Sequence, residues 1–189
     1  MTRRAILLGL ASAGLGAVGL IGCRKAPAAA SIGGPFRLID QEGRTVTDRD
    51  LLGKPTAIFF GFTYCPEICP TTLANMTRWM AALGPDADRL NVVFVSVDPE
   101  RDTPAQLKLF LSSFDPRIRG LTGAPDAIAA TAKAYRVFYQ RVPLAGGGYT
   151  MDHTTAVYLF DRRGRFVEPI GYGGPPEQGL RQLKALLSA

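Results

Sequence analysis

Two uninterrupted apolar runs, "PTAIFFGFT" (55–63) and "NVVFVSV" (91–97), stand on either side of a segment in which Leu73, Met76, Met80 and Leu83 recur at helical spacing. An apolar run without alternation reads as a strand buried on both faces. A helix between two such strands makes them parallel neighbours joined by a right-handed crossover, which commits the chain to an α/β architecture. Gly84-Pro85 supplies the stop for that helix.

The flanking sequence extends this unit. "FRLIDQEGRTVTD" (36–48) reads as two short strands around a Glu42-Gly43 turn. Thr103 as cap and Pro104 in the first turn start a helix running to about Phe114, and "APDAIAATAKAYRV" (124–137) predicts another. "TTAVYLFD" (154–161) and "RFVEPI" (165–170) read as strands joined at Arg163-Gly164. Pro175-Pro176 then precedes a helix with Leu180, Leu183 and Leu187 on one face. The order ββ-β-α-β-α-α-ββ-α predicts a thioredoxin-like α/β fold with an N-terminal β-hairpin and an inserted helical segment. The Gly-rich stretches 146–148 and 171–174 lack the Gly-Lys-Ser/Thr ending of a phosphate loop and read as plain loops.

The N-terminus is set apart from this plan. Arg3 and Arg4 precede an uncharged run from Ala5 to Gly22, the pattern of a signal sequence (1–22). Leu20-Ile21-Gly22-Cys23 resembles a lipoprotein cleavage site, which makes Cys23 the expected lipidation site and residues 23–35 a flexible tether. The arginine pair leaves Sec and twin-arginine export both open. An uncleaved span is the alternative, since about 18 apolar residues is at the short edge of a membrane-crossing helix. Either reading puts the domain, 36–189, outside the cytoplasm at a membrane, facing the periplasm or cell exterior. The formal charge of +6 falls to about +4 without Arg3 and Arg4. Its basic residues form no cluster, which argues against nucleic acid as a partner.

Three cysteines and a single histidine, His153, complete the soft-ligand inventory. With Cys23 assigned to lipid, one pair remains, Cys65 and Cys69, in a compartment where thiols tend to oxidise. Residues four apart on a helix share a face about 6 Å apart along the axis, so both sulfurs can meet one point if the first turn starts near Cys65. That spacing admits a disulfide or a shared metal. A helix N-terminus stabilises thiolates and makes such cysteines reactive, and Pro66 and Pro70 are tolerated this early in a helix. Parallel strands end on one edge of the sheet, beside Cys65 and Asp98. An antiparallel strand 154–161 would return His153 to the same edge.

Taken together, "FFGFTYCPEICP", "VSVDPERDTP" and "MDHTTAVYLFD" resemble the Sco/SenC/PrrC family of membrane-anchored copper-binding proteins, over the whole domain from about Phe36. The resemblance implies copper, as Cu(I) and Cu(II), bound by Cys65, Cys69 and His153, with Asp98 nearby and assisting. It implies a copper chaperone rather than an enzyme, serving the copper A centre of cytochrome c oxidase. The expected partners are subunit II of that oxidase or another copper-accepting protein, and a thioredoxin-like reductant that keeps the cysteines reduced. The ligand chemistry agrees, because thiolates suit Cu(I) and imidazole suits both oxidation states.

Alternatives follow from the same residues. A thiol-disulfide oxidoreductase on this fold would more typically carry Cys-x-x-Cys and a proline before the strand that begins "TTAV"; here Asp152-His153 stands there. A copper or redox sensor would need no further residues. Zinc accepts two Cys and one His as well. A purely structural disulfide closing so short a loop would constrain little chain. Asp98 could instead cap its loop or pair with Arg101 or Arg162. Met151 reads as packing, Tyr64 as a wall of the site and Glu67 as solvated.

Overall fold

The computed structural model describes residues 31–189. The expected signal sequence, Cys23 and the tether up to residue 30 lie outside the described residues. The N-terminal hairpin forms as β1 (Arg37–Asp40) and β2 (Thr45–Thr47). Between them Asp40 accepts from the N–H groups of Glu42 and Arg44, and Gly43 takes a φ of 79°.

The parallel core follows as β3 (Thr56–Gly61), α1 (Ile68–Leu83) and β4 (Asn91–Ser96). Every residue of β3 is buried, as its unbroken apolar run requires. Leu73, Met76, Met80 and Leu83 all face inward from α1. Burying each such side chain is worth about 1.5–3 kcal/mol, well above what intrinsic propensity contributes per residue, so packing decides this helix. It ends at Gly84, whose φ of 59° suits a residue without Cβ.

Beyond β4, Thr103 caps α2 (Pro104–Leu111) by accepting from the Gln106 N–H. The helix stops three residues short of Phe114. A strand that the sequence did not disclose, β5 (Ile118–Thr122), comes next and precedes α3 (Pro125–Ala134). Arg119 and Gly120 interrupt its apolar run, and a Cβ at Gly120 would lie 2.5 Å from a terminal methyl of Leu111, which would have to shift.

A second unforeseen feature is a separate hairpin, β6 (Tyr139–Pro143) and β7 (Tyr149–His153), closed by the Gly-rich loop. The chain returns to the main sheet as β8 (Val157–Phe160) and β9 (Phe166–Ile170) and ends in α4 (Pro176–Ser188), with Leu183 and Leu187 buried and Leu180 packed against the core. The sheet order is β2-β1-β5-β4-β3-β8-β9. β3, β4 and β5 are parallel, and β8 runs antiparallel to β3. The α/β plan expected from sequence is therefore present, with β5 filling the gap between the N-terminal hairpin and the parallel core. Among the described residues no helix is long and apolar enough to cross a membrane.

Candidate metal centre

Cys65, Cys69 and His153 converge: one ligand atom from each lies within 4.8 Å of the others. Their placement differs from the expectation in two respects. Cys65 and Pro66 precede α1, which begins at Ile68, because Glu67 takes a non-helical φ, ψ of −140°, −60°. Cys69 alone sits in the first turn. The two sulfurs still meet, because the Cys65 sulfur accepts a hydrogen bond from the Cys69 N–H at 3.3 Å. That N–H is one of the donors a helix start leaves unpaired, so the sulfur acts as a cap. His153 is also not at the start of the strand that returns to the sheet. It is the last residue of β7, four residues before β8 begins.

The imidazole is fixed in orientation. Its Nδ1 lies 2.8 Å from the Thr154 carbonyl oxygen, which can only accept, so Nδ1 carries the proton and Nε2 presents a lone pair. That lone pair faces the Cys69 sulfur at 3.6 Å. Phe59 and Phe62 hold the ring edge-on, with centroids at 6.2 and 5.8 Å. A backbone carbonyl on the far nitrogen is a usual device for presenting a histidine to a metal.

The two thiols differ in character. Hydrogen bonding from Cys69, opposed by burial and reinforced by the N–H groups of Cys69 and Glu67, brings Cys65 down from 9.0 to about 4. Cys69 moves the other way. The hydrogen bond to Cys65, burial and the adjacent negative charge keep it a thiol far above the ordinary range. Both are free thiols. A cleft of about 240 Å³ opens on Cys65 and His153, walled by Phe62, Ile68, Met151 and Thr155, while Cys69 is fully buried behind it. A soft or borderline cation entering there would find a thiolate, an imidazole lone pair and a second sulfur whose proton it must displace.

Asp98 is not within the group of three. It is buried, pairs with Arg101, and accepts from the Tyr149 hydroxyl at 2.9 Å. Arg162 instead reaches the Leu187 carbonyl. Tyr64 is exposed and stacks under Arg101, its ring centroid 4.8 Å from the guanidinium carbon. Glu67 is exposed and Met151 packs with the core. One residue the sequence reading passed over is Asp102, fully buried, which accepts from the Thr63 N–H and hydroxyl and from the Ser96 hydroxyl. It thereby fixes the loop that leads to Cys65. Its place four residues after Asp98 in "DPERD" was the available signal. Tyr149, the other partner of Asp98, had none.

Comparisons with known proteins identify the chain's relatives. Protein SenC of Rhodobacter capsulatus is 40% identical over 172 residues, 88% of this chain and 76% of that protein. Bradyrhizobium japonicum ScoI, solved with copper bound, is 53% identical with a TM-score of 0.78, covering 82% of this chain and 99% of that one. BsSco, a member of the Sco family of cytochrome c oxidase assembly proteins in which a disulfide switch has been identified, is 25% identical with a TM-score of 0.68, covering 87% and 97%. The chain spans about half the length of the mitochondrial relatives it matches in yeast and Arabidopsis thaliana. The SCO1/SenC family model matches residues 24–188, nearly the whole of the sequence, and the chain belongs to that family.

Proposed function

We propose that this protein binds one copper ion through the sulfurs of Cys65 and Cys69 and Nε2 of His153, and passes it to a copper-accepting protein during cytochrome c oxidase assembly. The observation that carries this reading is the convergence of those three donors within 4.8 Å, with Nδ1 of the imidazole already engaged. Two sulfurs hold Cu(I); the imidazole extends the set to Cu(II). Three ligands leave a coordination position for a donor atom of the recipient, so the ion can be handed over without first being released. Subunit II of the oxidase, with its copper A centre, is the recipient we favour. Lipid attachment at Cys23 would hold the domain at the membrane, facing the periplasm or cell exterior. Copper here is cargo, and the protein is a carrier rather than a catalyst.

A second reading, thiol-disulfide exchange with a partner's cysteines, is favoured by the unequal acidity of the pair. A low-pKa thiol lining the cleft beside a protonated, more deeply buried one is the arrangement of a redox pair. The two readings connect, since copper loads only on the reduced thiols and a thioredoxin-like reductant would be needed to keep them so.

The deciding experiment is a titration of the reduced protein with Cu(I) and Cu(II), followed by metal analysis and absorption, beside a Cys65→Ser/Cys69→Ser double variant. One copper per chain with a sulfur-to-Cu(II) charge-transfer band, absent from the variant, supports the carrier. Absence of stable copper together with rapid disulfide exchange replaces it with the oxidoreductase.

A further inference from the structure

His153 is carried by a hairpin that is not part of the main sheet. An isolated two-stranded ribbon is marginally stable in water, so its position must be set by what holds it down. The strand β6 offers little help: four of its five residues are exposed. At the His153 end, anchoring comes from the Thr154 N–H to the Phe138 carbonyl, the Phe138 N–H to the Thr154 hydroxyl, and the two phenylalanine rings against the imidazole.

The other end is gripped by the loop that follows β4. Arg101 donates to the backbone carbonyl of Tyr149 at 2.9 Å and lies over its ring, 3.8 Å from the centroid. Asp98, paired with Arg101, takes the Tyr149 hydroxyl. On the outer side Arg141 covers the same ring at 4.0 Å and pairs with Glu100. Tyr149 is thus held by its carbonyl, its ring and its hydroxyl. One nitrogen of Arg101, Nη2, is buried without a hydrogen-bond partner. Leaving such a donor unpaired is costly, which is intelligible if the position of the guanidinium matters more than its full satisfaction. The loop also reaches the opposite side of the site, because its Asp102 fixes Thr63, two residues before Cys65.

We infer that Arg101 and Tyr149 are positioning residues: with Asp98 they latch the β6–β7 hairpin to the loop 98–102, so that one loop sets the location of the imidazole relative to the thiols. The register transmits the hold along the ribbon, from Pro143 opposite Tyr149 to Tyr139 opposite His153. Releasing Tyr149 frees the hairpin that carries the histidine, whereas the loop before Cys65 keeps its own tie, from Thr63 to Asp102, which these substitutions leave in place. The latch is therefore selective for the metal state that depends on the imidazole.

The inference rests on the copper reading for one of its two tests and is independent of it for the other. Tyr149→Phe keeps the stacked ring and removes only the hydroxyl, and Arg101→Lys keeps the charge and loses the fork. In the copper-free protein, amide hydrogen exchange in residues 139–143 and 149–153 should quicken by about tenfold in both variants, with β3 and β4 unchanged. With copper, in Tyr149→Phe, which leaves Arg101 over the Phe62 and Tyr64 rings beside Cys65, the Cu(II) dissociation constant should rise about tenfold, the usual cost of removing a partner that supports a ligand, while that of Cu(I) changes by less than about twofold. Hairpin exchange at the wild-type rate, or equal loss of both copper states, overturns the latch. If the wild type itself holds no Cu(II), the carrier reading fails, and hydrogen exchange alone decides the latch.

Discussion

Cys65 caps the helix that carries Cys69: its sulfur accepts the Cys69 N–H at 3.3 Å, one turn before the second thiol. The pair is therefore asymmetric before any metal or oxidant arrives. Alkylation with iodoacetamide should label Cys65 already at pH 6, with a rate that falls only as pH approaches about 4, and should leave Cys69 untouched in the folded protein. Cys69→Ala removes the largest cause of the shift and should move the Cys65 titration upward toward the ordinary thiol value. Since folding lowers this pKa, the thiolate stabilises the native state. That contribution is complete above 9.0, declines as pH falls, and is gone below about 4. A Cys65→Ser variant should show a flatter stability profile across that window by urea denaturation.

Gly61, at the end of β3, is a packing requirement of the site. A Cβ there would lie 2.6 Å from the Cys69 sulfur and 2.8 Å from the Phe94 ring. Both neighbours are fully buried, so neither can swing away. Gly61→Ala should cost about 1–3 kcal/mol in urea unfolding, typical of overpacking, and should weaken copper binding by displacing Cys69. Wild-type stability and affinity would show that the helix start can slide without penalty.

Asp102 presents a different balance. Burial raises its pKa against the hydrogen bonds from Ser96 and Thr63. Asp102→Ala strands two hydroxyls and an N–H and should cost at least about 2 kcal/mol. Asp102→Asn can keep the contacts as a neutral group and should fall within about 1 kcal/mol of wild type at neutral pH. The sign of the pH effect follows from the raised value: the wild type recovers stability from this group as pH falls, and the Asn variant does not. Parallel stability profiles for the two proteins from pH 7 to 3 would contradict the assignment.

His153→Ala should separate the two copper states. Loss of the only imidazole should weaken Cu(II) by about 100-fold or more, beyond the cost of losing a supporting partner alone, while the two sulfurs retain Cu(I). Competition titrations against chelators of each ion measure both. An equal loss would remove His153 from the ligand set.

The sequence disclosed those parts of the fold whose patterns are local. The unbroken apolar runs of β3 and β4, the three- and four-residue spacing of Leu73, Met76 and Met80, and the Thr103-Pro104 start all correspond to observed elements. The strand β5 escaped because its stability comes from neighbours distant in sequence, β4 on one side and β1 on the other, and not from its own five residues. The strands β6 and β7 escaped because β6 has no buried face to impose an alternation. The same omission misplaced His153 by one element, although its identity as the lone imidazole pointed to the right residue. For the cysteines, spacing suggested a shared helical face, whereas the chain achieves the meeting with an irregular Glu67 and a sulfur cap. Asp98 was legible as a residue at the sheet edge; its grip on Tyr149, 51 positions away, depends on tertiary structure alone.

The 84 positions from Cys69 to His153 divide the donor set by sequence distance. An unfolded chain keeps the two thiols within four residues of each other but loses the imidazole to a remote part of the coil. An ion satisfied by sulfur can therefore remain on a nascent or unravelled chain, whereas one that needs the imidazole is retained only by the folded chain. Cu(II) should accordingly raise the melting temperature more than Cu(I) at matched saturation, because a ligand stabilises the native state only by its preference for it over the coil.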